Sequence, residues 1–302
     1  MMNERVTLLA TAIVVFTGAL WGLYWLPVRS LAETGLPGAW GTVAITTAAV
    51  LLLSPLAFMR RRQFARSNRV ALASIALGGA AFALYSIGFV YGRVAIIILL
   101  YFLTPVWSTL IGRYVMGWHT SRLRVLAILV GLAGLSVMLG ADGDLPVPQG
   151  VGEWMALIAG ILWSVATTGM RAKSDLEPVA AAFVFAIGAT VSALLLAPFL
   201  ELWPGGISGE GLAALLGLAF ATGGIWWGLS VASLMWATVR LEPARVGILL
   251  MTEVVVGAGS AAVFAAEHLD PLEIAGGALV LCAGVLEVWP ARRAAPEQSG
   301  RD

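Results

Sequence analysis

Apolar runs of about twenty residues follow one another along nearly the whole chain, separated by short polar or Pro/Gly-bearing breaks. A helical residue rises ~1.5 Å, so ~20 residues cross a hydrocarbon core of ~30 Å. The pattern predicts ten membrane-spanning helices, at about 7–28, 38–58, 70–91, 94–116, 122–140, 151–171, 178–199, 211–237, 243–265 and 271–289. The connectors "ETGLPG", "DGDLPVPQG", "LWPGGISGEG" and "LDP" carry the turn formers expected between them. The closing "ARRAAPEQSGRD" is polar and reads as a disordered tail over 291–302.

Composition narrows this to an all-α integral membrane protein. The 302 residues are 60% hydrophobic and 12% charged, against ~25% charged in a soluble domain. The single cysteine, Cys282, allows no intrachain disulfide. The first apolar run is long enough to span and no A-x-A site follows it, so it is expected to stay as a helix.

The distribution of charge orients the bundle. With the N-terminus inside, sixteen of the 18 Lys and Arg residues fall on the inner side and only Arg29 and Arg93 outside. The outer loops lean acidic, with Asp142, Asp144, Glu201, Glu210 and Asp270. A wrong span count would scramble this asymmetry, so it supports ten spans with both termini inside. The arginine run at 60–69 suggests nucleic acid or anionic lipid, but its place in an inner loop accounts for it, and no nucleic-acid partner is expected.

A repeat gives the span count a second meaning. "GALWGLYWLPVR" (18–29) and "GILWSVATTGMR" (160–171) share Gly, Leu, Trp and Arg in register at an offset of 142. Five spans then fall in each half, over 1–146 and 147–290. Because five is odd, the halves must enter the membrane in opposite directions. Two inverted five-helix repeats around a midplane site are a common transporter plan.

Candidate chemistry gathers on a few faces. Trp21, Tyr24 and Trp25 share one face of the first span, at a depth unsuited to an interfacial belt, since Trp21 is roughly 12 Å from Arg29. Gly18 and Gly22 form a G-x-x-x-G that lets another helix come close. The stripe reads as a cavity wall, with ordinary core packing as the alternative, and Trp163 inherits the same choice through the repeat. In the fourth span Tyr101, Thr104, Pro105 and Ser108 share a face, and Pro105 frees a backbone carbonyl. Tyr85, Gly88, Phe89 and Gly92 do the same in the third, with Ser86 at the border. In "ATGGIWWGLS" one of Trp226 and Trp227 is expected inside and the other outside, with Trp227 the candidate. Glu253 lies deep in the ninth span, where an acid costs about 2.5–3.5 kcal/mol and usually carries function. It could attract a substrate amino group or bind a proton during exchange; the alternative is a structural acid bonded to Thr252 or to broken backbone. Arg93 reads as an interfacial anchor that could also steer carboxylates.

Enzyme readings find little support. His119 and His268 sit in loops on opposite sides, so no metal pair is expected. No P-loop or nucleophile elbow is present, and neither a catalytic residue nor a cofactor is expected.

The chain resembles the drug/metabolite transporter superfamily in its ten-helix EamA-type form. The resemblance rests on "ALWG" and its echo "ILWS", on "LLYFLTPVWSTLIG" (99–112) and on residues 244–285. It departs from the family pattern where Val254 follows Glu253 in place of proline, and where Trp118 replaces a glutamate whose counterpart is Glu267. "YSIGFVYGRVAIIILLYFLTPVW" is most similar to the exporters of aromatic amino acids. The resemblance implies substrate loading from inside and export across a bacterial inner membrane. The expectation is a secondary transporter whose partners are the lipid bilayer, a small amphipathic solute and protons, with cationic drugs or other metabolites as the alternative cargo.

Overall fold

In the computed structural model the described residues are 4–117, 122–141, 147–173, 176–205, 209–238, 240–241 and 243–288, all helix or connecting turn. Trp118, His119, Asp142, Asp144 and the tail at 291–302 lie outside them. The first half comprises α1 (Glu4–Gly22), α2 (Trp25–Thr34), α3 (Trp40–Met59), the short α4 (Arg61–Arg66), α5 (Arg69–Tyr91), α6 (Val94–Tyr101), α7 (Thr104–Tyr114) and α8 (Arg122–Leu139). The second comprises α9 (Val151–Lys173), α10 (Pro178–Leu200), α11 (Gly209–Thr222), a π-helix (Gly223–Ser230), α12 (Val231–Thr238), α13 (Pro243–Leu250), α14 (Thr252–Phe264) and α15 (Pro271–Val288).

Local chemistry sets the ends. Asn68 caps α5, its side chain accepting from the Val70 amide at 2.8 Å. Pro178 opens α10 where a missing N–H costs nothing.

Seven helical stretches are long and apolar enough to cross a bilayer, from Glu4–Thr34 to Gly211–Ser230. Three shorter apolar helices, Val125–Leu139, Ile248–Phe264 and Pro271–Leu286, coincide with the remaining predicted spans. Two of them are shortened by identifiable causes: Arg122 and Arg124 make the start of α8 polar, and a break at Met251 divides the ninth span.

Many large apolar side chains point outward, among them Phe16, Leu195, Phe199 and Val263. Such a surface suits hydrocarbon, and helices alone satisfy their backbone there. The chain is a multi-pass membrane protein.

Helices α9, α5, α10 and α3 pack in series, in that order, and α8 lies along α15. The second pair meets backbone to backbone. A Cβ at Gly134 would stand 2.7 Å from the Gly276 carbonyl, and one at Gly276 would stand 2.6 Å from that of Gly134. Only glycine allows that approach.

Candidate functional site

Three helix breaks converge on the middle of the bundle. The first is the turn at 23–24 between α1 and α2, the second the turn at 102–103 between α6 and α7, and the third Met251 between α13 and α14. The second break follows from Pro105, which has no N–H to offer the Tyr101 carbonyl. Thr104 replaces it, donating from Oγ1 to Tyr101 O at 2.6 Å. The predicted free carbonyl is thus satisfied from within the chain. Thr252 plays the same part at the third break, donating from Oγ1 to Leu249 O at 2.8 Å.

The G-x-x-x-G of α1 meets the third break directly. A Cβ at Gly22 would lie 2.7 Å from Glu253 O and 2.8 Å from Gly257 N, while one at Gly18 would lie 3.4 Å from Glu253 N. These two glycines therefore fix where Glu253 leaves its helix. Glu253 occupies the first turn of α14. Its Oε1 accepts from the Tyr85 hydroxyl at 3.0 Å. The partner is a tyrosine from the other half of the chain, not Thr252.

Tyr85 connects the acid to a chain of rings. It stacks on Tyr101 with centroids 4.3 Å apart and planes at 25°. On its other side it meets Phe82 edge-on at 5.8 Å. Phe82 is the hub: Trp21 at 4.8 Å, Tyr24 at 5.5 Å, Trp227 at 4.9 Å and Phe185 at 6.1 Å surround it. Phe185 extends the chain to Trp163 at 5.9 Å. Ring pairs in such geometries contribute about 0.5–1.5 kcal/mol each.

Polar atoms are threaded through the rings. Trp21 Nε1 donates to Ser230 Oγ at 3.0 Å. The Tyr24 hydroxyl lies 3.2 Å from Ser86 Oγ, which lies 2.9 Å from Thr42 Oγ1, a fully buried chain of three hydroxyls. Trp227 Nε1 is buried and has no hydrogen-bond partner among the described residues.

Trp21, Tyr24, Tyr85, Tyr101, Trp163 and Trp227 are thus brought together, and Glu253 joins through Tyr85. Thr104 and Pro105 support Tyr101 from behind, and Ser108 lies one turn further along α7, half-buried. Trp25 goes elsewhere: its Nε1 donates to Ser260 Oγ at 3.0 Å on α14, and Arg29 lies over its ring at 5.2 Å. The expectation that Trp226 and Trp227 face opposite ways needs correction. Trp226 also turns inward, its ring 6.1 Å from Tyr24 and its Nε1 donating to Leu20 O at 2.8 Å. Both tryptophans lie in the π-helix Gly223–Ser230, whose i→i+5 winding departs from the α-helical wheel on which that expectation rested.

Phe82 and Phe185 were not among the sequence candidates. Phenylalanine in an apolar run carries no polar mark; only its helical spacing from Tyr85 could have drawn attention to Phe82.

Ion pairs tie segments together at one end of the bundle. Arg29 Nη2 reaches Glu267 Oε1 at 2.9 Å, and the guanidinium also donates to the carbonyls of Phe89 and Gly92, each at 2.8 Å. Glu267 also accepts from the amides of Val94 at 3.0 Å and Ala95 at 3.5 Å, so it caps α6. Arg93, read from the sequence as an interfacial anchor that could also steer carboxylates, pairs here with the buried carboxylate of Glu273.

Residues 150–288 match the EamA-like transporter family. That match supports the drug/metabolite transporter superfamily and a membrane transporter of its type. No curated protein matches the chain. One protein of solved crystal structure aligns at 20% identity over 96% of this chain and 99% of its own, with a TM-score of 0.58. At that identity the likeness concerns the fold alone.

Proposed function

We propose that the protein is a secondary transporter that exports small amphipathic metabolites, foremost aromatic and neutral amino acids, across a bacterial inner membrane. The observation that carries the reading is Glu253, hydrogen-bonded to Tyr85 and joined through it to the chain of aromatic rings. A carboxylate suits the ammonium group of an amino acid. Rings suit its side chain by edge and offset contacts, and a cation by its π faces. The same pairing gives Glu253 a proton-binding role during exchange.

Alternating access between two inverted halves draws support from the packing. α1 lies against α13 and α14 as α9 lies against α6 and α7, and α5 lies against α9 as the π-helix and α12 lie against α1. Gly18 faces Leu250 O and Thr252 Oγ1 at the third break; Gly160, its partner in the repeat, faces Leu100 O, Tyr101 O and Thr104 Oγ1 at the second. Counting the three shorter apolar helices as spans gives ten, five in each half. On the orientation suggested by loop charge, the Arg29–Glu267 and Arg93–Glu273 pairs belong to the outer end, where such pairs could close the route.

The test is uptake of labelled phenylalanine, tyrosine, tryptophan and leucine into proteoliposomes, with and without a pH gradient, beside a lipophilic cation. Saturable uptake of the aromatics is expected. Uptake of the cation alone, by folded protein, would overturn the amino-acid reading in favour of cationic cargo.

A further inference from the structure

At the end of the bundle opposite Arg29, α3 and α10 part around a crevice of about 540 Å³ that opens at the surface. Pro55, Phe58, Phe64 and Phe183 form its apolar lining, and Ser54 and Arg61 supply polar groups. α4 holds the crevice in shape. Arg60 pairs with Glu177 at the start of α10, Gln63 Nε2 donates to Glu177 Oε1 at 2.8 Å, and Phe64 meets Phe183 at 6.1 Å. With one arginine neutralised by Glu177, Arg61, Arg62, Arg66 and Arg69 remain, all exposed and without an ion-pair partner among the described residues. The Arg61 guanidinium stands over the Phe58 ring at 4.6 Å, at the boundary of the apolar lining. Beyond the crevice the surface continues into exposed Leu51, Leu52, Leu56 and Met59.

We infer that this crevice binds an anionic phospholipid, an acyl chain lying between α3 and α10 and the headgroup phosphate on Arg61 and Arg62. Loop position explains why arginines are here, but not why Arg61, with Arg62 beside it in the chain, lines an apolar crevice next to exposed leucines. A zwitterionic lipid would fill the apolar part equally and offer the same phosphate, but it would bring its cationic amine against the same arginines. Charge complementarity therefore selects the anionic headgroup, as it does for basic pockets between membrane helices. The site is distinct from the aromatic centre and does not depend on the transport reading.

The test is native mass spectrometry of the full chain during exchange from phosphatidylglycerol/phosphatidylcholine mixtures, on the unaltered protein and three variants. Retention of phosphatidylglycerol over phosphatidylcholine is expected. It should fall by about fivefold per arginine removed in Arg61→Gln/Arg62→Gln. The same charge loss at Arg113→Gln/Arg122→Gln, away from the crevice, should leave it unchanged. Ser54→Leu, which fills the crevice and keeps every charge, should also reduce it. Equal loss in both arginine pairs would replace a site with diffuse surface charge. Unchanged retention in Ser54→Leu, or displacement of the lipid by inorganic phosphate, would overturn the acyl-chain contact.

Discussion

Arg29 and Glu267, 238 positions apart, meet at 2.9 Å, and the same carboxylate caps the first turn of α6. One acid thus ties together α2, the start of α6 and the segment after α14. Its side chain is 10% exposed and that of Arg29 is 23% exposed, so both charges depend on each other for solvation.

Removing one partner should destabilise more than removing both. Arg29→Gln leaves Glu267 partly buried and short of a donor, with an expected cost of about 3 kcal/mol, at the lower end for a buried pair because Arg29 retains some solvent. Arg29→Gln/Glu267→Gln should recover part of that loss. Thermal unfolding in detergent measures both. Additive losses would mean that the pair is not coupled.

The hydrogen bond between Tyr85 and Glu253 should matter more to transport than to folding. Tyr85→Phe keeps the ring stacked on Tyr101 and deletes the hydroxyl, with a stability cost of about 0.6–1.7 kcal/mol, as for hydrogen bonds between membrane helices. Substrate affinity should drop about tenfold, a change of ~1.4 kcal/mol. Uptake kinetics beside the unfolding temperature separate the two effects.

Gly22 and Gly217 make opposite predictions for the same substitution. Gly22→Ala drives a methyl against the Glu253 carbonyl and Gly257 amide, and overpacking of this kind costs about 1–3 kcal/mol. It should also depress uptake, because α14 carries Glu253. A Cβ at Gly217 meets nothing within 4 Å, so Gly217→Ala should be neutral or stabilise α11 by up to ~1 kcal/mol.

The ring chain should divide into hub and edge. Phe82→Ala removes the ring that five others meet and should cost about 3–5 kcal/mol. Among the described residues Trp163 touches the ring chain through Phe185, so Trp163→Ala should impair uptake with little loss of folded protein. Unchanged uptake would remove Trp163 from the site.

Much of this centre was legible in the sequence because position within a span constrains it. Gly18 and Gly22, four residues apart beside an aromatic stripe, mark a close helix contact. Pro105 marks a break, and an acid as deep as Glu253 draws attention wherever it occurs in hydrocarbon. Partnership was not legible. Nothing local to Tyr85 points to an acid 168 residues later, and Arg29 carries no sign of Glu267. Periodicity also failed where the helix itself changes: the α-helical wheel does not describe the π-helix that carries Trp226 and Trp227, and both meet the ring chain. Phe82 stayed hidden because its role comes from four neighbours contributed by other segments.

The most direct test of the account is Glu253→Gln, assayed for phenylalanine uptake in proteoliposomes with and without a pH gradient. The amide keeps the shape and the bond from Tyr85 but removes the charge and the titratable proton. The account predicts that uptake falls at least tenfold and that any response to the gradient disappears, with the protein still folded. An unchanged rate with an unchanged response to pH would contradict it.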